Sequence, residues 1–196
     1  MRLFFLLSII LTGAAPAAAG WKIMPAGTAA SVVDEKLTVT PSQRWNRWSS
    51  RPSDYGEIWT IDGLSLNELS FFAGIPSGKT IYHDRQSKRR PLPKFRSNML
   101  LTDIVELFES TNRIVLQTSL FEVGETIPAK LSGHDAVRFR YSYAIQGDEL
   151  KRNGEAVAAI VDGKLYLVNF VAPAIHYFDR DIDNFQKLVD TIKIGG

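Results

Sequence analysis

Period-two alternation organises the second half of this chain. Val137, Phe139, Tyr141 and Tyr143 fall on one side, and Arg138, Arg140 and Ser142 on the other. That is the pattern of an antiparallel strand covered mainly on one face. Glu155–Val161 and Lys164–Ala172 read as two strands whose nearly continuous apolar runs, Ala156–Val161 and Leu165–Val171, predict central strands buried on both faces, and Asp162-Gly163 between them suits a tight hairpin. Pro173 ends the second run. Ile182, Phe185, Leu188, Val189 and Ile192 form a single stripe at helical spacing, so an amphipathic helix is expected to close the chain across the sheet.

The first half is more broken. Leu37–Thr40 reads as a short strand closed by Pro41, and the stretch SQRWNRWSSRPSDYG as an irregular connection. Trp45 and Trp48 stand three apart, so one helical turn would lay both against the body. Glu57–Asp62 and Leu64–Phe72 flank Asp62-Gly63, a second hairpin signal, with a bulge near Asn67-Glu68 to restore the register. Residues 73–98 form a long polar connection carrying Gly74, Pro76, Gly78, Pro91 and Pro93. A helix follows, with Asp103 and Glu106 at capping spacing, Ile104, Leu107 and Phe108 as its buried stripe, and Asn112 as its end. Strand periodicity is expected from Ile114 onward. The order predicts one α+β domain over residues 20–196.

The first 19 residues have a different character. Arg2 precedes an apolar run from Leu3 to about Leu11, and small residues end in Ala17-Ala18-Ala19. This predicts a secretory signal cleaved after Ala19, too short to span a bilayer. No later segment is apolar enough to be a membrane span. The sequence holds no cysteine, which excludes disulfides, a thiol nucleophile and a cysteine-borne lipid anchor, and fits a periplasmic protein. The formal net charge is only +2, yet residues 79–96 hold seven basic residues and one acid. Positive charge is therefore local, and with export it gives no ground for expecting nucleic acid.

The later segments together carry a resemblance. Gly133-His-Asp-Ala-Val-Arg-Phe-Arg-Tyr, Ala158-Ala-Ile-Val-Asp-Gly-Lys-Leu-Tyr-Leu-Val-Asn-Phe, Ala172-Pro-Ala-Ile-His-Tyr-Phe and Phe185-Gln-Lys-Leu-Val-Asp-Thr-Ile-Lys-Ile resemble the ending of PsbP-like and DcrB-like proteins. The likeness spans roughly residues 114–195. The N-terminal half resembles secreted bacterial proteins without an assigned activity. What the resemblance implies is an α/β/α sandwich with a mainly antiparallel sheet flanked by helices, serving as an accessory or binding module of the envelope. The absence of cysteine departs from the lipoprotein members.

Motifs for chemistry are sparse. No G-x-S-x-G elbow occurs, and Ser65 sits in a strand pattern. Gly74-Ile-Pro-Ser-Gly-Lys79-Thr80 ends like a phosphate loop, but its first glycine stands four residues before the second where five are needed. His83, His134 and His176 are too far apart in sequence for a local zinc motif, leaving only a fold-assembled site with Asp84 or Asp135. Asp179, Asp181 and Asp183 open like a calcium loop. A loop starting at Asp179 needs glycine sixth and glutamate twelfth, whereas Asn184 and Asp190 stand there. Asp181 is better read as a helix cap, with Asp183 facing the positive end. No metal or cofactor is expected.

The basic run is the best candidate surface. Lys88, Arg89, Arg90, Lys94, Phe95 and Arg96 are the candidate partner-binding residues, with Tyr82 and Leu92 as amphipathic contacts. The expected function is a non-enzymatic accessory or binding protein of the periplasm, docking on an envelope protein or an anionic membrane surface. Two alternatives stand beside it: a metal-assisted hydrolase built on His134, His176 and nearby aspartates, and a carrier of a small apolar ligand between the layers.

Overall fold

A computed structural model describes residues 20–85, 88–148 and 150–195; the expected signal lies outside them. Its elements in chain order are β1 (Trp21–Met24), β2 (Ala30–Val32), β3 (Leu37–Val39), β4 (Trp45–Trp48), β5 (Gly56–Thr60), β6 (Glu68–Ile75), α1 (Leu101–Val115), β7 (Phe121–Leu131), β8 (His134–Tyr143), β9 (Arg152–Val161), β10 (Lys164–Pro173), α2 (Tyr177–Asp190) and β11 (Lys193–Ile194). An eight-stranded antiparallel sheet runs β1-β4-β5-β6-β10-β9-β8-β7, and a three-stranded sheet runs β11-β3-β2. The main sheet is covered by α1 on one face, and by α2 with the small sheet on the other.

The two-faced burial of the central strands follows from their sequences. In β10, Val168, Phe170 and Ala172 pack under α2, while Leu165, Leu167 and Val171 pack under α1. In β8, Val137, Phe139, Tyr141 and Tyr143 all join the α1-side core, as their alternation predicts. The β9–β10 hairpin turns on Asp162 (φ 49°) and Gly163 (φ 70°), the paired positive φ angles of a type I′ turn. At the β7 edge the ladder slips between Val123 and Thr126, a bulge beside Pro128.

Several local expectations need correction. Trp45 and Trp48 lie on a strand, where positions three apart point to opposite faces. Trp45 enters the core against Phe170, and Trp48 stacks on Trp21 at a 6.2 Å centroid distance. Asp62-Gly63 is not a two-residue hairpin, because the strands stop at Thr60 and resume at Glu68. The buried Asn67 shapes that longer loop, its Oδ1 accepting from the backbone N–H of Ile61 (2.8 Å) and Asp62 (3.2 Å) and from the Thr60 hydroxyl (2.7 Å). Asn112 does not end α1, because its side chain donates to Phe108 O (2.9 Å) and the helix runs on to Val115. Strand pairing therefore begins at Phe121, later than Ile114.

At α1 the capping pair stands three residues earlier than expected: Leu100 is the N-cap and Asp103 the third helical residue, its Oδ2 accepting from the Leu100 N–H at 2.8 Å. At α2 the cap differs from expectation. His176 has φ 69° and ψ −56°, and the Tyr177 N–H donates to Ile175 O at 2.8 Å, a tight γ-turn from which the helix starts. Asp181 is thus inside the helix. It is buried, accepts from the Arg180 guanidinium, and meets Asn67 Nδ2 at 3.4 Å, tying α2 to the β5–β6 loop.

Candidate functional site: the basic loop and the cavity beneath it

The segment between β6 and α1 is fastened at both levels. Ile81 and Phe95 are buried in the α1-side core, and Leu92 is buried as well. Its backbone pairs with itself through Gly78 N–H to Phe95 O (2.8 Å) and Phe95 N–H to Lys79 O (2.9 Å), and with the β4–β5 loop through His83 N–H to Pro52 O (2.9 Å). Lys88, Arg89, Arg90, Lys94 and Arg96 remain exposed. Phe95 is the correction among the candidate residues. Fully buried, it holds the loop down and offers no surface contact; Leu92, at 6 % exposure, does the same.

Under this loop lies a cavity of 390 Å³ between the C-terminal end of α1 and the main sheet. Register explains its floor. Glu68 on β6 pairs with Val171 on β10, Val171 with Gly154 on β9, and Gly154 with Tyr141 on β8, so one row crosses four strands. Tyr141 lies flat over Gly154, where a Cβ would come within 2.1 Å of its ring. Its hydroxyl thereby reaches across to donate to Asn169 Oδ1 on β10 at 2.7 Å. Glu68 accepts from the Ser70 hydroxyl at 2.6 Å. Tyr82, Tyr143, Asn112 and Gln117 add to the polar lining, and Ile58, Leu116 and Val171 are among the apolar residues.

Burial dominates the electrostatics. It raises the Glu68 carboxyl above the ordinary carboxylate range, against the opposing pull of the Ser70 hydroxyl and the Arg152 charge. It also raises the phenols of Tyr82 and Tyr141, and pushes Tyr143 up to about 12. Loop residues His83, Asp84, Arg85 and Arg90 form the rim. The Asp84 Oδ2 accepts from the Leu92 N–H at 3.2 Å, while its buried Oδ1 has no partner among the described residues.

The other candidates are dispersed. His134 opens β8 and Tyr143 closes it; Tyr143 pairs with Arg152 and Arg152 with Pro173, three residues before His176. His134 and His176 thus stand at opposite ends of a ten-residue strand, roughly 30 Å apart. Asp179 and Asp183 are exposed on α2, while Asp181 points to the opposite side. Among the described residues, no three His, Asp or Glu side chains gather where they could hold a metal ion, and no helix is long and apolar enough to cross a membrane.

No protein-family model matches the chain, and no curated protein matches it by sequence. Solved structures do match. The solution structure of cyanobacterial PsbP (CyanoP) from Synechocystis sp. PCC 6803 superposes with a TM-score of 0.53 at 15% identity, covering 94% of this chain and 99% of that one. The fold is PsbP-like. A crystal structure from Bacteroides thetaiotaomicron VPI-5482 superposes with a TM-score of 0.51 at 7% identity, over 87% of this chain and 49% of that one. The PsbP-like likeness thus reaches beyond the C-terminal half that carries it in sequence, and takes in the N-terminal strands as well. At these identities it concerns the fold alone.

Proposed function

We propose that this protein is a non-enzymatic accessory or binding protein of the bacterial cell envelope, exported to the periplasm as a single domain, that docks on an acidic partner protein through its basic loop. The observation that carries this reading is the division of labour within the loop. Ile81, Leu92 and Phe95 are spent in the core, so Lys88, Arg89, Arg90, Lys94 and Arg96 are displayed from a fastened platform. Pre-ordering of that kind lowers the entropic cost of binding, and clustered charge speeds encounter. Because the loop's aromatic and leucine side chains point inward, it has little apolar surface to insert into a bilayer, which favours a protein face over a membrane. The PsbP-like fold supports the same reading, since that resemblance implies an accessory role.

The test is crosslinking in intact cells, followed by capture on the purified protein at low and high salt. Specific capture that weakens with salt, and is lost when Lys88, Arg89, Lys94 and Arg96 are changed to Glu, is the expected result. Capture indifferent to both, or equal affinity for anionic vesicles without any protein partner, overturns it.

A further inference from the structure

The cavity under the loop has a polarity that the docking reading does not use. Its volume, 390 Å³, lies in the range of small-molecule sites. We propose that it binds a small anionic amphiphile bearing a hydroxyl group, with the anionic group held by Arg85 and Arg90 at the rim and the hydroxyl seated against Glu68 at the floor.

Charge fixes the orientation. Two guanidiniums against the single carboxylate of Asp84 leave the mouth positive, so a cationic ligand is repelled on entry and an anionic one is drawn in. The Glu68 carboxyl of the floor is hostile to a second negative charge, so the anionic end stays outside. Between the two lie apolar walls, among them Leu116 and Val171, that suit a ring or short hydrocarbon body.

A hydroxyl is the group that the floor can satisfy in every state. It donates to Glu68 when the carboxyl is ionised and accepts from it when protonated, and the phenols of Tyr82 and Tyr143, held neutral by burial, are donors throughout, the Tyr141 hydroxyl being already given to Asn169.

Three probes of one size separate these contributions: para-hydroxyphenylpropionate carries both groups, phenylpropionate lacks the hydroxyl, and tyramine replaces the acid by an amine. Calorimetric titration of the unaltered protein is expected to give saturable binding of the first, about tenfold weaker binding of the second, and none of the third. Glu68→Ala should erase the preference for the hydroxyl while leaving phenylpropionate unchanged, and Arg90→Glu should weaken both acids. Tyramine binding as well as the hydroxy acid, or no saturable binding of any probe at millimolar concentration, overturns the proposal without reference to the variants. Because Lys88, Arg89, Lys94 and Arg96 do not line the cavity, the charge reversal that tests docking leaves this site intact, so the two readings fail separately.

Discussion

Tyr141 lies across Gly154 and hydrogen-bonds Asn169 two strands away, at 2.7 Å. The contact exists because β9 has no side chain at that point. It makes the absent Cβ as much a part of the cavity floor as any group that is present.

Gly154→Ala should therefore displace the ring. The added methyl overlaps Tyr141 Cζ at 2.1 Å in a packed layer, and a loss of about 1–3 kcal/mol is expected from overpacking. Tyr141→Phe removes only the hydroxyl and should cost about 1 kcal/mol. Urea unfolding of both proteins checks the order; a Gly154→Ala protein as stable as the parent contradicts the close approach.

Glu57 holds the small sheet to the large one. Its buried carboxylate accepts from Val33 N–H (3.0 Å), from Trp59 Nε1 (2.7 Å) and from Arg47 (2.9 Å). Glu57→Ala leaves three donors unpaired, and a destabilisation of about 3 kcal/mol is expected. Glu57→Gln keeps the shape and should lose less, a difference that chemical denaturation resolves.

Phe95 and Lys94 are neighbours with opposite duties. Phe95→Ala empties a core position and should cost about 3–5 kcal/mol. Lys94→Ala, on the exposed side, should change stability by no more than about 0.5 kcal/mol. Thermal unfolding of the pair shows which half of the loop is structural.

Glu68 gives stability a pH dependence of definite sign. Its folded-state pKa is raised, so the native protein binds more protons than the unfolded chain between the ordinary glutamate pKa and the raised one. Stability from this group is full below the unfolded value and falls as pH rises through that window. Glu68→Gln should flatten the decline, measured as the difference in unfolding free energy between the two proteins across the acid to neutral range. Equal slopes would remove the burial of this carboxyl as its cause.

Much of the fold was legible because the strands of the second half obey a period of two and turn on residues with few conformational alternatives, such as Asp162-Gly163. The first half was less so where side chains act at a distance. Asn67 shapes its loop by accepting from donors five to seven residues away, and nothing in the local pattern announces it. Trp45 and Trp48 mislead because a spacing of three suits one helical face and, equally, two faces of a strand. For the site, charge was visible and placement was not: the basic run is plain in sequence, but the burial of Phe95 depends on pairing with Lys79, sixteen residues away. The cavity floor was missed because Glu68, Tyr141 and Asn169 meet only through strand order. One signal was available, the polar Asn169 within the apolar run Leu165–Val171.

The bulge in β7 has a consequence for how copies of this protein meet. An eight-stranded open sheet leaves two unpaired borders, and the longer one is β7, largely exposed over Phe121–Leu131. There the irregular register between Val123 and Thr126, the missing donor of Pro128 and the charge of Lys130 interrupt any straight ladder that a second strand could extend. Edge-to-edge polymerisation is thereby discouraged at the border most open to it.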